Sequence, residues 1–142
     1  MKTHITWLAL LALVLTLGFG ACDSKNKDES AAADVGYTVG DLFVAADIAE
    51  KEPVGISEHF FADTEKLYCF SEILGAKEDV VIKHRWFHGA EMVSEVALNI
   101  RGSKWRTWSS KTIGPGMTGD WRVQVTSEDG KVLKETSFVI GQ

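Results

Sequence analysis

The sequence predicts an all-β fold, an immunoglobulin-like antiparallel β-sandwich of about seven strands, placed after a signal segment and a polar tether. Beyond residue 40, short apolar runs are separated by turn residues at the spacing typical of a sandwich, without the helical segments that would connect parallel strands. We expect strands near residues 41–49, 66–74, 80–87, 91–100, 103–113, 119–126 and 131–140. A break at Glu52 and Pro53 leaves residues 54–61 as a candidate edge strand, because proline lacks the donor of a central strand.

The first 21 residues are typical of an export signal. An uncharged, mainly apolar run at residues 5–19 follows Lys2, and it is shorter than the roughly 20 residues of a transmembrane helix. Because small residues precede Cys22, the segment resembles a bacterial lipoprotein signal peptide, in which that cysteine is lipidated and becomes the new N-terminus. Asp23 resembles the signal that retains lipoproteins in the inner membrane of some Gram-negative bacteria. We therefore expect a lipid-anchored protein of the cell envelope that faces the periplasm.

A polar segment connects this anchor to the domain. Residues 22–40 are rich in charged and small residues and lack apolar periodicity, which predicts a flexible tether. The charged face of a short helix is the alternative. The β-sandwich domain is then expected to cover residues 41–142.

The second and third strands carry a cysteine and a tryptophan typical of an immunoglobulin-like core. Cys69 alternates with apolar neighbours, which predicts a small buried side chain, and Trp86 follows 17 residues later. The sixth strand offers Trp121 where those domains have a second cysteine, so a hydrophobic contact is expected to replace the bridge. If Cys22 were not lipidated, a disulfide between Cys22 and Cys69 would be the alternative.

Two hairpins follow from the pattern of apolar residues. A three-residue loop at residues 88–90 would place Trp86 opposite Met92 and pair Lys83 with Glu95. The second hairpin is expected to turn at residues 128–130. The strand before it, at residues 119–126, alternates apolar and polar residues, which is the clearest signature of a half-buried strand in the chain. The further residues expected in the core are Trp105, Trp121, Val123, Val125 and Phe138.

The tryptophan-rich segment at residues 105–111 is the strongest candidate for a binding surface. Positions 105 and 108 have opposite parity in a strand, so one indole is expected to point inward and the other outward. We expect Trp105 in the core and a binding surface formed by Trp108, Arg106 and Lys111. The alternative is that the whole segment is core with arginine stacking.

Several function classes are disfavoured by composition and spacing. The chain has 15 Lys and Arg against 20 Asp and Glu, a formal net charge of −5, and no dense basic cluster, so we expect no nucleic-acid partner. His84 and His88 would lie roughly 13 Å apart along one strand, too far to share a metal ion. His84 is expected to form a hydrogen bond next to Trp86. No cofactor is expected, and no catalytic motif is present.

Four sequence blocks carry a family resemblance: LYCF at 67–70, HRW at 84–86, WRTWSSK at 105–111 and GDWRV at 119–123. Over about residues 42–140 they resemble the bacterial domain-of-unknown-function family numbered 2914. The resemblance implies a small β-rich extracytoplasmic module without an established activity, and it supplies no catalytic residues.

These observations predict a non-catalytic binding or scaffolding module of the cell envelope. It would be attached to the lipid bilayer through Cys22 and would act through contacts with an envelope protein. A carbohydrate or peptidoglycan-binding module is the first alternative, and an enzyme of unrecognised type is the second.

Overall fold

A computed structural model describes residues 35–141, which form two packed β-sheets. The nine strands are β1 (Thr38–Ala49), β2 (Glu52–Ile56), β3 (His59–Phe60), β4 (Lys66–Leu74), β5 (Val80–His88), β6 (Glu91–Ile100), β7 (Lys104–Thr112), β8 (Gly119–Ser127) and β9 (Val132–Ile140). The first sheet has the order β2-β1-β4-β7 and the second has the order β3-β9-β8-β5-β6. The predicted all-β sandwich is confirmed, and no helix occurs within the described range.

Strand alternation explains which side chains fill the space between the sheets. On β4, Leu67, Cys69 and Ile73 are fully buried, and on β5 and β8 the fully buried apolar residues include Trp86 and Val123. Because opposite residues of a strand pair share a face, each sheet presents a continuous apolar surface to the other. These residues belong to one hydrophobic cluster.

The register of the β5–β6 hairpin differs from the predicted one. Trp86 lies opposite Ser94 rather than Met92, because the turn has two residues and a bulge follows at Trp86 and Phe87. Gly89 has a φ of +58°, which a tight two-residue turn accepts at its first position. The shift is even, so the predicted faces are retained for residues 94–100, whereas Met92 lies opposite Phe87 on the outer face and is 49% exposed. Arg85 lies opposite Glu95, and the predicted pairing of Lys83 with Glu95 also occurs, with Nζ 3.6 Å from Oε1.

Two short strands were not among the seven predicted ones. β2 is the outer strand of the first sheet, where Pro53 needs no partner for its missing N–H. The tip of the β1–β2 hairpin reaches across the first sheet, since Glu52 forms an ion pair with Arg106 on β7. β3 pairs in parallel with the end of β9. The candidate edge strand at residues 54–61 is therefore split into two strands in different sheets.

The predictions for the N-terminal segment concern residues outside the described part of the chain. The signal peptide, Cys22, Asp23 and residues 24–34 of the predicted tether belong there. The end of the tether was predicted too late, because Tyr37 is buried in the core and β1 begins at Thr38. From residue 35 to 141, no helix is long and apolar enough to cross a membrane.

Candidate functional site

A groove of about 830 Å³ runs between the edges of the two sheets on one side of the sandwich. β6 ends the order of the second sheet and β7 ends that of the first, and the two strands are neighbours. The groove is lined by residues from both strands, from the turn between them and from the β1–β2 hairpin tip: Lys51, Ala97, Leu98, Asn99, Arg101, Lys104, Trp105, Arg106, Thr107 and Trp108.

The charged side chains that line the groove are all cationic, although the whole chain has a net charge of −5. Arg106 pairs with Glu52 and its Nε lies 3.4 Å from Glu72 Oε2, while Lys104 Nζ lies 3.8 Å from the same carboxylate oxygen. Within residues 35–141, no carboxylate lies within 4 Å of the Lys51 or Arg101 side-chain nitrogens. The groove is therefore a local basic site on an acidic molecule.

The two tryptophans lie on opposite faces of β7. Trp105 is opposite Ile73 and packs against the core from a half-buried position, so it forms a wall of the groove and is not a fully buried core residue as expected. Trp108 is opposite Phe70 on the outer face and is also half-buried. Both indoles line the groove because the groove follows the edge of β7, where side chains of either face can reach it. Since the two indoles lie on opposite faces of the strand, they cannot form one flat platform.

The predicted surface of Trp108, Arg106 and Lys111 is only partly assembled. Arg106 and Trp108 share the outer face of β7 and both line the groove. Lys111 is three positions from Trp108, which places it on the other face of the strand, opposite the buried Leu67. Lys111 is therefore not part of the groove. Side chains alternate between the two faces of a strand, and this alternation separates Lys111 from Trp108 just as it separates Trp105 from Trp108.

Sequence reasoning did not identify the other wall of the groove. Leu98 and Asn99 lie at the end of β6, Arg101 lies in the following turn, and Lys51 lies at the tip of a distant hairpin. The short connection between β6 and β7 was a usable signal, because it brings the two strand ends close together in space. Nothing in the sequence indicated that Lys51 approaches them.

The side chains expected in the core lie there, apart from Trp105. Cys69, Trp86, Val123 and Val125 have no exposed surface. Trp121 and Phe138 are 2% and 3% exposed, and their rings stack with centroids 5.9 Å apart. Burial raises the pKa of the Cys69 thiol far above its usual range, which leaves no reactive thiolate.

A polar network crosses the core between the sheets. His84 on β5 bonds through Nε2 to Ser71 Oγ at 2.9 Å and through Nδ1 to Ser109 Oγ at 2.8 Å. The Trp86 indole N–H donates to the same Ser109 oxygen at 3.1 Å. Burial lowers the pKa of His84 to about 3, so its ring is neutral at physiological pH, with one nitrogen as donor and one as acceptor.

The network satisfies the histidine without a metal ion. Every buried side-chain nitrogen and oxygen in the described part of the chain has a hydrogen-bond partner. Residues 35–141 contain no group of three or more His, Cys, Asp or Glu side chains placed to hold a metal ion.

A smaller hollow of about 330 Å³ lies at the other end of the sandwich. Its charged lining is mixed, with Glu58 and Asp120 beside His59 and Arg122. It lacks the uniform charge of the larger groove.

Comparison with known families gives a match over the second half of the domain. Residues 79–140 match the model of the family described as "Protein of unknown function (DUF2914)". This segment is less than half of the chain, and it supports the resemblance stated from the sequence for the region from β5 to β9. No curated protein sequence matches the chain.

Two of the similar solved structures are distant relatives in sequence. A β-glucosidase from Listeria innocua in complex with glucose is 10% identical, with a TM-score of 0.46, over 75% of this chain and 16% of that chain. A β-glucosidase from Kluyveromyces marxianus is 10% identical, with a TM-score of 0.43, over 75% of this chain and 14% of that chain. The chain thus spans less than a fifth of either enzyme, and neither similarity assigns an activity to it.

Proposed function

We propose that this protein is a non-catalytic binding module of the bacterial cell envelope and that it recognises a partner protein through the groove between β6 and β7. The observation that carries the proposal is the composition of the groove, which combines four cations, two half-buried indoles and the side chain of Leu98. Tryptophan and arginine are the residue types that contribute most to protein interfaces. The groove volume of about 830 Å³ is within the range of ligand-binding clefts.

A binding role agrees with the chemistry of the lining better than catalysis does. The groove lining contains no histidine, cysteine or carboxylate that could act as a nucleophile or general base. His84 and Cys69 are both sealed in the core, where the low pKa of the imidazole and the high pKa of the thiol follow from burial. These groups support packing and do not form a reactive centre.

The carbohydrate alternative has weaker support. Sugar rings stack on flat exposed aromatic faces, and Trp105 and Trp108 lie on opposite faces of β7. One indole would remain for stacking, beside cations that a neutral sugar does not require.

The location in the envelope is part of this proposal and rests on the sequence of the first 23 residues. In this account, Cys22 carries the lipid that attaches the domain to the membrane, and Asp23 favours the inner membrane. We expect C22S to move the protein from the membrane fraction to the soluble fraction, because the acyl chains are the only membrane attachment in this account. Fractionation followed by immunoblotting measures this, and C22S protein that remains firmly in the membrane pellet would contradict the anchor.

In-cell photo-crosslinking tests the groove. A photoreactive phenylalanine analogue at position 108 is expected to capture a discrete protein, and R106E is expected to abolish the adduct because it reverses a charge beside the probe. The matched control is the same probe at Val132, which is 43% exposed on β9 and lies outside the groove. If R106E leaves the adduct unchanged, or if position 132 captures the same protein equally well, the groove is not the binding surface.

A further inference from the structure

We infer that the groove binds an acidic, extended segment of the partner protein, which adds as a new strand to the free edge of β7. This inference rests on the proposed function and specifies the chemistry of the partner. It follows from the strand edges, the charges and the alternation of side chains along β7.

The backbone of β7 is available for pairing. β7 is hydrogen-bonded to β4 on one side and has no neighbour in its sheet on the other side. An edge strand presents a row of unpaired N–H and C=O groups, which an extended peptide can satisfy by strand addition. β6 has the corresponding position in the second sheet, so an added strand would lie between two edges and above the apolar side chain of Leu98.

The charges indicate which segment fits. Lys104 and Arg106 lie on the outer face of β7, two residues apart, so both would flank alternate residues of an added strand. Glu72 already contacts both cations from the β4 side. Glu52 also pairs with Arg106 through Nη1, so a carboxylate on the new strand would bind the guanidinium donors that neither Glu72 nor Glu52 uses. Lys51 and Arg101 add positive charge at the same groove.

Alternation then gives a sequence pattern for the ligand. Cross-strand neighbours on one face lie about 5 Å apart, so acidic residues are favoured opposite Lys104 and Arg106 and an aromatic residue opposite Trp108. On the other face, an aliphatic residue is favoured opposite Trp105 and a small polar residue opposite Thr107. For an antiparallel added strand, the pattern read from its N-terminus is Phe-Thr-Glu-Val-Glu.

An anionic membrane surface is a poorer match for the same cations. The loops at the β4–β5 and β8–β9 connections carry Glu78, Asp79, Glu128 and Asp129, and they lie at the same end of the sandwich as Arg101. These carboxylates would face a lipid surface that approached Arg101, and they would repel its headgroups.

The test is a titration of the full chain, purified in detergent, with a fluorescent peptide that contains Phe-Thr-Glu-Val-Glu between Gly-Ser flanks. We expect saturable binding that weakens as salt increases, because the ion pairs are exposed. K104E is expected to weaken binding at least tenfold, and K77E, which makes the same charge change on an exposed loop residue outside the groove, is expected to have no effect. R101E is the second variant. Arg101 lies in a turn and forms no ion pair among the described residues, so its replacement breaks none.

Backbone methylation separates strand addition from simple charge attraction. One set of alternate N-methyl groups on the peptide is expected to abolish binding, because those N–H groups face β7, and the other set is expected to leave binding within about threefold. Equal binding of both methylated peptides would overturn strand addition. Equal affinity for a rearranged peptide, Thr-Phe-Val-Glu-Glu, in which Phe and one Glu exchange faces with Thr and Val, would also overturn it.

The outcomes distinguish this inference from the proposed function. If position 108 captures a protein in cells and that adduct depends on Arg106, but the acidic peptide does not bind, the groove binds proteins in another way and only the present inference fails. If acidic oligosaccharides or anionic lipid vesicles bind with the K104E dependence and the peptide does not, the partner class is wrong.

Discussion

At the scale of single residues, His84 is the most informative side chain of the core. It is fully buried and links the two sheets through hydroxyls of Ser71 on β4 and Ser109 on β7. The expected hydrogen bond near Trp86 is confirmed, since Ser109 binds both the imidazole and the indole. The sequence could not identify the two serines, because they approach His84 only after β4 and β7 pair and the first sheet packs on the second.

The low pKa of His84 makes the stability of the domain depend on pH. The folded-state pKa is about 3 and the unfolded value is 6.5, so the unfolded chain takes up a proton first as the pH falls. The contribution of neutral His84 to the free energy of unfolding is therefore fully present above pH 6.5, and it decreases as the pH falls from 6.5 towards 3. Between pH 7.5 and 5.0 the expected loss in the free energy of unfolding is about 2 kcal/mol.

Urea denaturation at these two pH values measures the effect. H84Q is the matched variant, because an amide keeps a donor and an acceptor and does not titrate. We expect H84Q to be less stable at pH 7.5 but nearly independent of pH in this window. If the native protein and H84Q lose the same free energy between pH 7.5 and 5.0, the imidazole is not held neutral by burial.

At the scale of elements, the seven predicted strands agree with the structure to within three residues at either end, because burial on one face imposes a period of two on the sequence. The two additional strands lack that signal. In β2, Val54 and Ile56 are about half exposed, so no buried face constrains the pattern. β3 has two residues and pairs only with the end of β9, a long-range contact that local sequence does not encode.

The β1–β2 turn is strained and can be improved. Glu50 and Lys51 have φ values of +52° and +67°, in the left-handed region that favours Asn and Gly in two-residue hairpin turns. We expect E50N to raise the free energy of unfolding by roughly 0.5–1 kcal/mol, because asparagine accepts this conformation more readily. Thermal or urea denaturation measures the gain.

E58N is the control for that substitution, because Glu58 is also exposed and has no positive φ. It is expected to leave stability unchanged within about 0.5 kcal/mol. Equal effects of the two substitutions would show that the turn conformation of Glu50 does not store the strain.

At the scale of the whole molecule, the candidate site exists only after the sheets have packed. Arg106 and Trp108 could be predicted as part of the site because the composition of the tryptophan-rich segment is unusual. The groove also requires Leu98 from another sheet and Lys51 from a hairpin more than 40 residues away, and their approach depends on the complete strand order. Lys111 shows the opposite case, since sequence proximity suggested a shared surface and the geometry of β7 places it on the other face.

The central claim is that one partner protein occupies the groove and contacts both of its walls. The most direct measurement places a photoreactive residue in turn at Leu98 on β6 and at Trp108 on β7 of the full chain in cells, and identifies the captured proteins by mass spectrometry. The account predicts that both positions capture the same protein and that K104E decreases both adducts. Capture of unrelated proteins from the two positions, or adducts that K104E leaves unchanged, would contradict it.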